Sequence, residues 1–269
     1  MKTVVHLSDL HFGREDPRVV DALIAAVSAI RPALVTVSGD LTQRARRRQF
    51  RRAARFLEAL PFAQVVVPGN HDVPLFNVFA RIFDPLGGYK RHITTDLAPT
   101  FVDPPVVVVG LDTTRPSSVK NARIHARDVE RICGYVQQFQ PDDVRILVAH
   151  HPFDPGNYPE LETLTRCGID VILTGHLHVS GSSHTAHRHR LSGRSAVVVE
   201  AGTATSTRLR ETTNAFNVLR LTPGTIVVER HDWLPPRGFV VADRQRFDRS
   251  DAGWLPGVDD QNSAPPPLQ

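Results

Sequence analysis

The sequence predicts an α/β protein in which two sheets pack together and helices cover their outer faces. Short runs rich in Val, Ile and Leu end in polar turns at residues 3–9, 33–40, 63–70, 105–112, 144–151 and 170–176. Continuous apolar runs of about four to eight residues are typical of buried strands. Because helical periods separate several of these runs, we expect largely parallel strands in this part of the chain.

Two predicted helices are marked by apolar residues that recur at i, i+3, i+4 and i+7. One set is Val20, Leu23, Ile24 and Val27, and the other is Phe50, Ala53, Ala54 and Leu57. A third helix is expected over about 125–139. The later runs 195–202, 214–221 and 225–230 follow one another across turns without a helix between them, which predicts antiparallel strands.

We expect one domain over residues 1–232 and a Pro-rich C-terminal tail over residues 233–269. Six of the 21 prolines lie from Trp233 onward, and the chain ends in SAPPPLQ. Such a segment is expected to pack over the domain or to be partly disordered, and not to form a second domain.

Cysteine content and hydropathy predict a cytoplasmic protein with no membrane partner. Cys133 and Cys167 lie far apart without CxxC spacing, so neither a zinc ribbon nor a disulfide scaffold is expected. The first dozen residues lack the apolar stretch of a signal peptide, and no run of about 18 apolar residues occurs. The net charge of +4 permits anionic partners without requiring them.

Five segments place metal-type ligands directly after predicted strands. They are Asp9-Leu-His11, Gly39-Asp40, Gly69-Asn70-His71-Asp72, His150 and Gly175-His176-Leu177-His178. In open α/β sheets, ligands bind just beyond the carboxyl ends of the strands. An Asp-x-His or His-x-His pair in extended chain would present both side chains on one face. Together, the five segments predict a metal centre.

This ordered set of motifs resembles the calcineurin-like metallophosphoesterases, and the match covers Thr3 to His178. The opening HLSDLHFG and the length are most similar to the class III cyclic-nucleotide phosphodiesterase branch. The resemblance implies a four-layer α/β/β/α fold, a two-sheet β-sandwich flanked by helices, that holds two metal ions.

The resemblance also implies a ligand set for each metal. Asp9, His11, Asp40 and His178 would hold the first ion, and Asp40, Asn70, His150 and His176 would hold the second, with Asp40 bridging. Imidazole and carboxylate ligands suit Mn, Fe or Zn better than Ca or Mg. Two ions about 3.5–4 Å apart can clamp a phosphoryl group and lower the pKa of a shared water, which then attacks as hydroxide.

His71 is implied to contact the substrate and not the metal. By resemblance it hydrogen-bonds the phosphate and protonates the leaving oxygen as a general acid, with Asp72 orienting its ring; a purely structural role is the alternative. Asn70 and His71 are expected to contact substrate, together with Arg14, Tyr89 and Arg91 from the segments nearest the metals.

Other histidines and the arginine-rich segment are expected to be structural. His6 is predicted to lie in the core, His151 to point away from the site, and Asp112 to belong to a turn or cap. His184, His187 and His189 are predicted to be solvated. The run 42–60 carries seven arginines around an apolar stripe and predicts a solvated amphipathic helix, with a nucleic-acid surface as the alternative.

The sequence therefore predicts a binuclear-metal phosphodiesterase acting on small phosphodiesters, with 3′,5′-cyclic nucleotides as one candidate class. Three alternatives stay open: a metal-dependent nuclease, a lipid or nucleotide pyrophosphate hydrolase, and a non-catalytic scaffold. A pyrophosphate hydrolase of the lipid type would need an apolar lid, for which the sequence shows no clear candidate. The sequence leaves a homodimer open.

Overall fold

Strands and helices alternate through most of the chain. The computed structural model describes residues 1–115, 124–153, 157–178, 180–184, 194–207 and 213–258. The helices in these ranges are α1 (Pro17–Ile30), α2 (Arg47–Glu58), α3 (Val78–Phe83), α4 (Gly87–His92), α5 (Ala126–Val136) and α6 (Tyr158–Arg166). The strands are β1 (Lys2–Leu7), β2 (Leu34–Ser38), β3 (Ala63–Val67), β4 (Thr100–Asp103), β5 (Val106–Leu111), β6 (Val144–Ala149), β7 (Val171–Thr174), β8 (Gly181–His184), β9 (Val197–Glu200), β10 (Ala215–Leu221), β11 (Thr225–Trp233), β12 (Phe239–Ser250) and β13 (Gly253–Pro256).

Over the described ranges the strands form two sheets. The order in the first is β13-β12-β11-β10-β1-β2-β3, and in the second it is β4-β5-β6-β7-β9-β8. The strands β1, β2 and β3 are parallel, as are β5, β6, β7 and β9. The strands β10 and β11 pair antiparallel, as expected, and β12 and β13 extend this antiparallel set. The strand β9 pairs antiparallel with β8 but parallel with β7, which the sequence did not predict.

The two sheets pack face to face and helices cover both outer faces. Val4 of β1 lies in the core between the sheets, whereas its neighbour Val5 packs in the core under α1 and α2. On the other side, Leu147 of β6 packs with α5 and α6. Because side chains alternate along a strand, sheets covered on both faces need apolar residues at successive positions. The predicted two-sheet sandwich flanked by helices is confirmed.

The three predicted helices are present as α1, α2 and α5. Asp16 caps α1 by accepting a hydrogen bond from the Arg18 amide, and Pro17 occupies its first turn. The buried face of α2 includes Phe50, Ala53 and Leu57, as the spacing predicts. None of the helices in the described part of the chain is long and apolar enough to cross a membrane.

The segment after residue 232 belongs to the first sheet as far as Pro256, which corrects the expectation of a tail from residue 233. The strand β11 continues to Trp233, and β12 and β13 add two further antiparallel strands. The buried Trp254 side chain packs in the core between the sheets and donates its indole N–H to Asp170 at 2.8 Å. Proline content misled the prediction, because Pro235 and Pro236 lie between β11 and β12 and Pro256 is the last residue of β13. The remainder of the predicted tail, 259–269, lies outside the described residues.

A disulfide joins Cys133 of α5 to Cys167 at the end of α6, with a Cα–Cα distance of 5.5 Å. The spacing of the two cysteines offered no motif that predicts this pairing. The two helices lie side by side on the second sheet, where Cys133 and Cys167 pack against the same apolar cluster. Tertiary packing, and not sequence separation, therefore brings the two sulfur atoms together.

We predict that Trp254→Ala lowers the free energy of unfolding by about 3–5 kcal/mol, because it leaves a cavity between the sheets and removes a partner of buried Asp170. Chemical denaturation measures the change. The matched control is Leu255→Ala, since Leu255 is the next residue and is 43% exposed. Equally small effects at both positions would contradict the placement of this segment in the core.

Candidate metal centre

The predicted ligands all follow the carboxyl ends of parallel strands. They are Asp9 and His11 after β1, Asp40 after β2, Asn70 after β3, His150 after β6, and His176 and His178 after β7. The first sheet thus supplies four of these residues and the second sheet three, so the site lies where the two sheets meet. The His150 Nδ1–H donates to the Ser38 carbonyl at 2.7 Å, and the His176 amide donates to Asp9 Oδ2 at 3.0 Å. These hydrogen bonds tie the two sheets together at the site.

The first ligand group consists of Asp9, His11 and His178. The Nε2 atoms of His11 and His178 lie 3.0 Å apart, and they lie 3.5 and 3.2 Å from Asp9 Oδ1. Separations of this size suit ligands that share one ion at about 2.0–2.2 Å. All three residues are buried, so their geometry is held by the surrounding fold.

The second ligand group consists of Asn70, His150 and His176. Asn70 Oδ1 lies 2.9 Å from His150 Nε2 and 2.9 Å from His176 Nδ1. Because His150 Nδ1 carries the proton donated to Ser38, its Nε2 presents a lone pair to the Asn70 oxygen. Two lone pairs that face each other at this distance repel unless a cation lies between them.

Asp40 lies between the two groups and faces both. Its Oδ2 is 3.8 Å from His11 Nε2, and its Oδ1 is 3.4 Å from His150 Nε2. Each carboxylate oxygen is therefore directed to a different ligand group, which is the arrangement a bridging ligand needs. The backbone N–H of His71 also donates to Oδ1 at 2.8 Å and orients the carboxylate.

The site has the properties expected of a transition-metal site. Asp9 Oδ1 is buried without a well-directed hydrogen bond, although an unsatisfied buried carboxylate oxygen is costly. Burial raises the pKa of Asp9, but the facing His11 and His178 rings outweigh this effect and hold the pKa well below its usual range. Burial lowers the pKa of His150 to about 3, so this imidazole is neutral and able to bind a metal at physiological pH. Nitrogen and oxygen donors of this kind suit Mn, Fe or Zn.

Five of the proposed ligands have positive φ angles. They are Asp9 at 51°, His11 at 47°, Asp40 at 54°, His176 at 72° and His178 at 58°. Left-handed backbone is unfavourable for such residues and is concentrated at functional sites. The expectation that the Asp-x-His and His-x-His pairs lie in extended chain is therefore wrong. Tight turns beyond the strand ends direct these side chains toward one another.

Two glycines allow the ligand loops to approach each other closely. A Cβ atom at Gly69 would lie 2.2 Å from the backbone nitrogen of Asp40, and one at Gly175 would lie 2.5 Å from Asp9 Oδ2. A larger residue at either position would force apart loops that carry ligands. Close approach, more than a special φ angle, accounts for glycine at these two positions.

His71 faces the centre, but Asp72 does not orient it. A ring nitrogen of His71 lies within 4.8 Å of the ligand atoms of His11 and Asp40. Its Nδ1–H donates to the Gln43 carbonyl at 2.8 Å, which sets the ring orientation. The Asp72 carboxylate instead accepts backbone N–H groups of Leu41, Thr42 and Gly69 at 2.8–3.1 Å. The predicted role of Asp72 in orienting the His71 ring is corrected: it braces the Asp40 loop against the Asn70 loop, and burial raises its pKa to about 6.

The three predicted substrate residues outside the ligand motifs fall in different places. Arg14 lines a cavity of about 500 Å³ together with Gln43 and Arg44. Arg91 lines a separate cavity of about 440 Å³ that also includes Arg44. Tyr89 is fully buried and its hydroxyl donates to the Val66 carbonyl at 2.9 Å, so its expected contact with substrate is corrected. Its position on the inner face of α4 explains the difference.

Sequence reasoning missed two residues beside the centre. Arg44 approaches His71 Nδ1 with a guanidinium nitrogen at 3.2 Å, although the run 42–60 was expected to be solvated. His151 lies in a buried cluster with His150 and His176, and its Nδ1 is 2.8 Å from Thr113 Oγ1. The prediction that His151 points away assumed strand alternation, whereas β6 ends at Ala149. The position of Arg44, four residues after Asp40, was the one available signal.

Several structural predictions agree with the structure. His6 is buried and its Nε2 is 2.8 Å from Ser38 Oγ, which places it behind the site. Asp112 caps a turn by accepting the Thr114 amide at 2.8 Å. The predictions for His187 and His189, and for the side chain of His184, lie outside the described residues.

A scan of family models matches residues 2–180 to the calcineurin-like phosphoesterases. The chain belongs to this family. The matched segment contains every residue of the proposed ligand set and His71. Membership in the calcineurin-like phosphoesterase family supports a metal-dependent phosphoester hydrolase.

Solved structures with the calcineurin-like phosphoesterase fold resemble the chain at low sequence identity. Purple acid phosphatase PPD1 from yellow lupin (Lupinus luteus) seeds has a TM-score of 0.68 at 11% identity and covers 91% of this chain, which spans 53% of the lupin chain. Vacuolar Protein Sorting 29 from Cryptosporidium parvum has a TM-score of 0.51 at 16% identity over 92% of this chain and 98% of its own. The protein TT1561 of Thermus thermophilus has a TM-score of 0.51 at 15% identity over 80% of this chain and 93% of its own. These likenesses show the fold alone. No curated protein matches the chain.

We predict that Asp40→Ala retains markedly less metal than Asn70→Ala. Removing Asp40 takes an oxygen from each ligand group and half of the carboxylate charge, whereas Asn70 is neutral and faces one group. Elemental analysis of each purified protein after manganese loading measures the metal content. Full occupancy of two metal sites in Asp40→Ala would contradict the bridging position.

Proposed function

We propose that the protein is a binuclear metal-dependent phosphodiesterase that hydrolyses small phosphodiesters, with 3′,5′-cyclic nucleotides as a candidate class. The observation that carries the proposal is the pair of ligand groups that share Asp40. Asp9, His11, His178 and Asp40 would hold one ion, and Asp40, Asn70, His150 and His176 would hold the other. When bound, two such ions supply Lewis acidity toward a phosphoryl oxygen and a water that is nucleophilic at neutral pH.

The residues around the centre favour an anionic substrate. Two ions of charge +2 set against the carboxylates of Asp9 and Asp40 leave positive charge at the site, and Arg44 and Arg14 line the adjacent cavity. A phosphodiester has a single negative charge and two ester oxygens. Its charged oxygens can therefore face the metal ions and the arginines on one side of the site, while its substituents point away from them. We propose that Asn70, His71 and Arg14 contact the phosphate or its substituents.

We propose that His71 donates a proton to the departing oxygen. The Gln43 carbonyl holds Nδ1 at 2.8 Å, which fixes the ring and directs the opposite nitrogen away from Gln43. A fixed ring keeps the proton on the donating atom at a constant distance from the leaving group, as general acid catalysis requires.

The other candidate activities make different demands on the same fold. A nuclease would use the arginines of α2 for the phosphates of a long substrate. A pyrophosphate hydrolase would bind and cleave the diphosphate group of its substrate at the same two metals. A scaffold would hydrolyse no phosphodiester, whether or not it bound metal.

The proposal is tested by metal analysis combined with hydrolysis of bis(p-nitrophenyl) phosphate by the manganese-loaded protein. Cyclic nucleotides, glycerophosphodiesters, nucleotide pyrophosphates and single-stranded DNA then compete as substrates in one series. Turnover of small diesters with loss of activity after chelation would support the proposal. Preference for DNA that falls steeply with salt would favour the nuclease, and absence of turnover of every substrate by the metal-loaded protein would favour the scaffold.

The cellular setting is proposed from the sequence alone. A cytoplasmic location remains the proposal, and the Cys133–Cys167 disulfide is the feature that opposes it, because disulfides are uncommon in reducing compartments. Counting free thiols in protein alkylated during cell lysis distinguishes a reducing compartment, where both cysteines would be free, from an oxidising one, where neither would be. A homodimer likewise remains a proposal.

We predict that His71→Ala loses far more kcat on alkyl or cyclic diesters than on nitrophenyl diesters. An alkoxide needs a proton to depart, so loss of the acid costs about 10²–10⁴-fold there, whereas nitrophenolate departs without help. The ratio of variant to wild-type kcat is compared for the two substrate classes, with metal content determined in parallel. Equal losses with both metals retained would indicate phosphate binding, and lost metal would make His71 a ligand or a support for one.

A further inference from the structure

An apolar segment, Leu75–Phe83, lies exposed beside the metal centre. Six of its nine residues are large and apolar: Leu75 is 39% exposed, Val78 59%, Ile82 62%, and Phe76, Phe79 and Phe83 are 77–80% exposed. No residue of α3, which forms most of this segment, is buried. The exposed large apolar residues elsewhere in the described ranges are scattered, and scattered residues need no partner.

The apolar segment presents one continuous face. Val78, Phe79, Ile82 and Phe83 lie at i, i+1, i+4 and i+5 of α3, which places them on one side of the helix, and the exposed Phe76 lies just before its N-cap. The Asn77 side chain caps α3 by accepting the Ala80 amide at 3.0 Å, and Arg81 donates to the Pro74 carbonyl at 3.1 Å. These hydrogen bonds hold the segment in a defined shape with its apolar side directed away from the domain. An ordered apolar face in water indicates a binding surface.

Positive charge lies directly beside this face. A cavity of about 440 Å³ is lined both by the apolar segment and by Arg44, Arg46, Arg47 and Arg91, with Asp84 as the acidic residue. The positive surface continues along α2 as an arginine row formed by the exposed residues Arg47, Arg48, Arg51 and Arg55. Arg52, on the same helix, pairs with Glu15, and Glu58 follows at the end of the helix.

We propose that the apolar segment and the arginine row together dock on the surface of a bilayer that contains anionic lipids. The phenylalanines would enter the boundary between headgroups and acyl chains, and the arginines would contact lipid phosphates. A second copy of the chain is a poorer occupant, because pairing this face with itself would bring two arginine rows together. Single-stranded nucleic acid could stack on the phenylalanines, but it offers no partner for the aliphatic Leu75, Val78 and Ile82.

This mode of binding is compatible with the absence of a long apolar run. The expectation of no membrane partner rested on segments that cross a bilayer, whereas an interfacial helix needs an apolar face and flanking cations. Arg44 lines the same cavity as the apolar segment and also approaches His71 at 3.2 Å. Docking would therefore place the entrance of the metal centre near the plane of the lipid headgroups. The docking proposal does not depend on the proposed reaction.

Vesicle co-sedimentation tests the proposal. The wild-type protein is expected to bind vesicles of phosphatidylglycerol and phosphatidylcholine at least about tenfold more tightly than pure phosphatidylcholine vesicles, with binding that weakens as salt rises. Phe76→Ser/Phe79→Ser/Phe83→Ser and Arg48→Glu/Arg51→Glu/Arg55→Glu are each expected to weaken binding at least about tenfold. The matched control, Val102→Ser/Val241→Ser/Leu255→Ser, changes exposed apolar residues elsewhere and is expected to bind like the wild type.

Four further measurements distinguish the other occupants and check the fold. Thermal unfolding verifies that the variants are folded, and their hydrolysis of a small diester is expected to equal that of the wild type. Absence of binding to the phosphatidylglycerol vesicles, or equal binding by the phenylalanine variant, would overturn the proposal. So would a dimer, seen by analytical ultracentrifugation without vesicles, that the phenylalanine changes dissociate. Tighter phenylalanine-dependent binding to a single-stranded oligonucleotide would assign the face to nucleic acid instead.

Discussion

The burial of two neighbouring carboxylates is the constraint on which the rest of this site depends. Asp9 and Asp40 are almost completely inaccessible to solvent, and their oxygen atoms lie within 4.8 Å of one another beside His150. Two like charges in such an environment are costly unless cations and hydrogen-bond donors compensate them. The neutral His150 imidazole beside them supplies a lone pair and not charge. The arrangement is therefore suited to metal ions, which satisfy both carboxylates and the histidine nitrogens together.

The fold meets this constraint by joining two sheets at their carboxyl edges. The loops after β1 and β2 bring the carboxylates, the loop after β3 brings Asn70, and the loops after β6 and β7 bring histidines from the opposite sheet. Gly69 and Gly175 allow these loops to come closer than any side chain would permit. Asp72 holds the Asp40 and Asn70 loops at a constant separation through three backbone N–H groups. Asp72, although it is adjacent to His71 in the sequence, thus acts on the backbone of the ligand loops and not on the substrate.

Beyond the ligands, the surroundings of the site are cationic on one side and apolar next to that. Arg44 belongs to both environments, since it approaches His71 and lines the cavity shared with the apolar segment. A small anionic substrate would need only the cationic side of the site. The neighbouring apolar surface is more than the binding of a small diester requires. The metal centre and the proposed docking surface are therefore adjacent parts of one face of the molecule.

The sequence by itself determined the strands that carry the ligands, the class of ligands and the family. Apolar runs that end in Asp, Asn, His and Gly are local features, and each ligand carries its chemistry wherever the fold places it. The sequence could not determine the direction of side chains beyond the strand ends, because the positive φ angles of Asp9 and His176 abolish the alternation of extended chain. Only the tertiary structure decided that Tyr89 is buried while Phe79 is exposed, since both are aromatic residues within short helical segments. Burial depends on which elements pack against a residue, and for the same reason the strands β12 and β13 became apparent only once β11 offered them an edge to pair with.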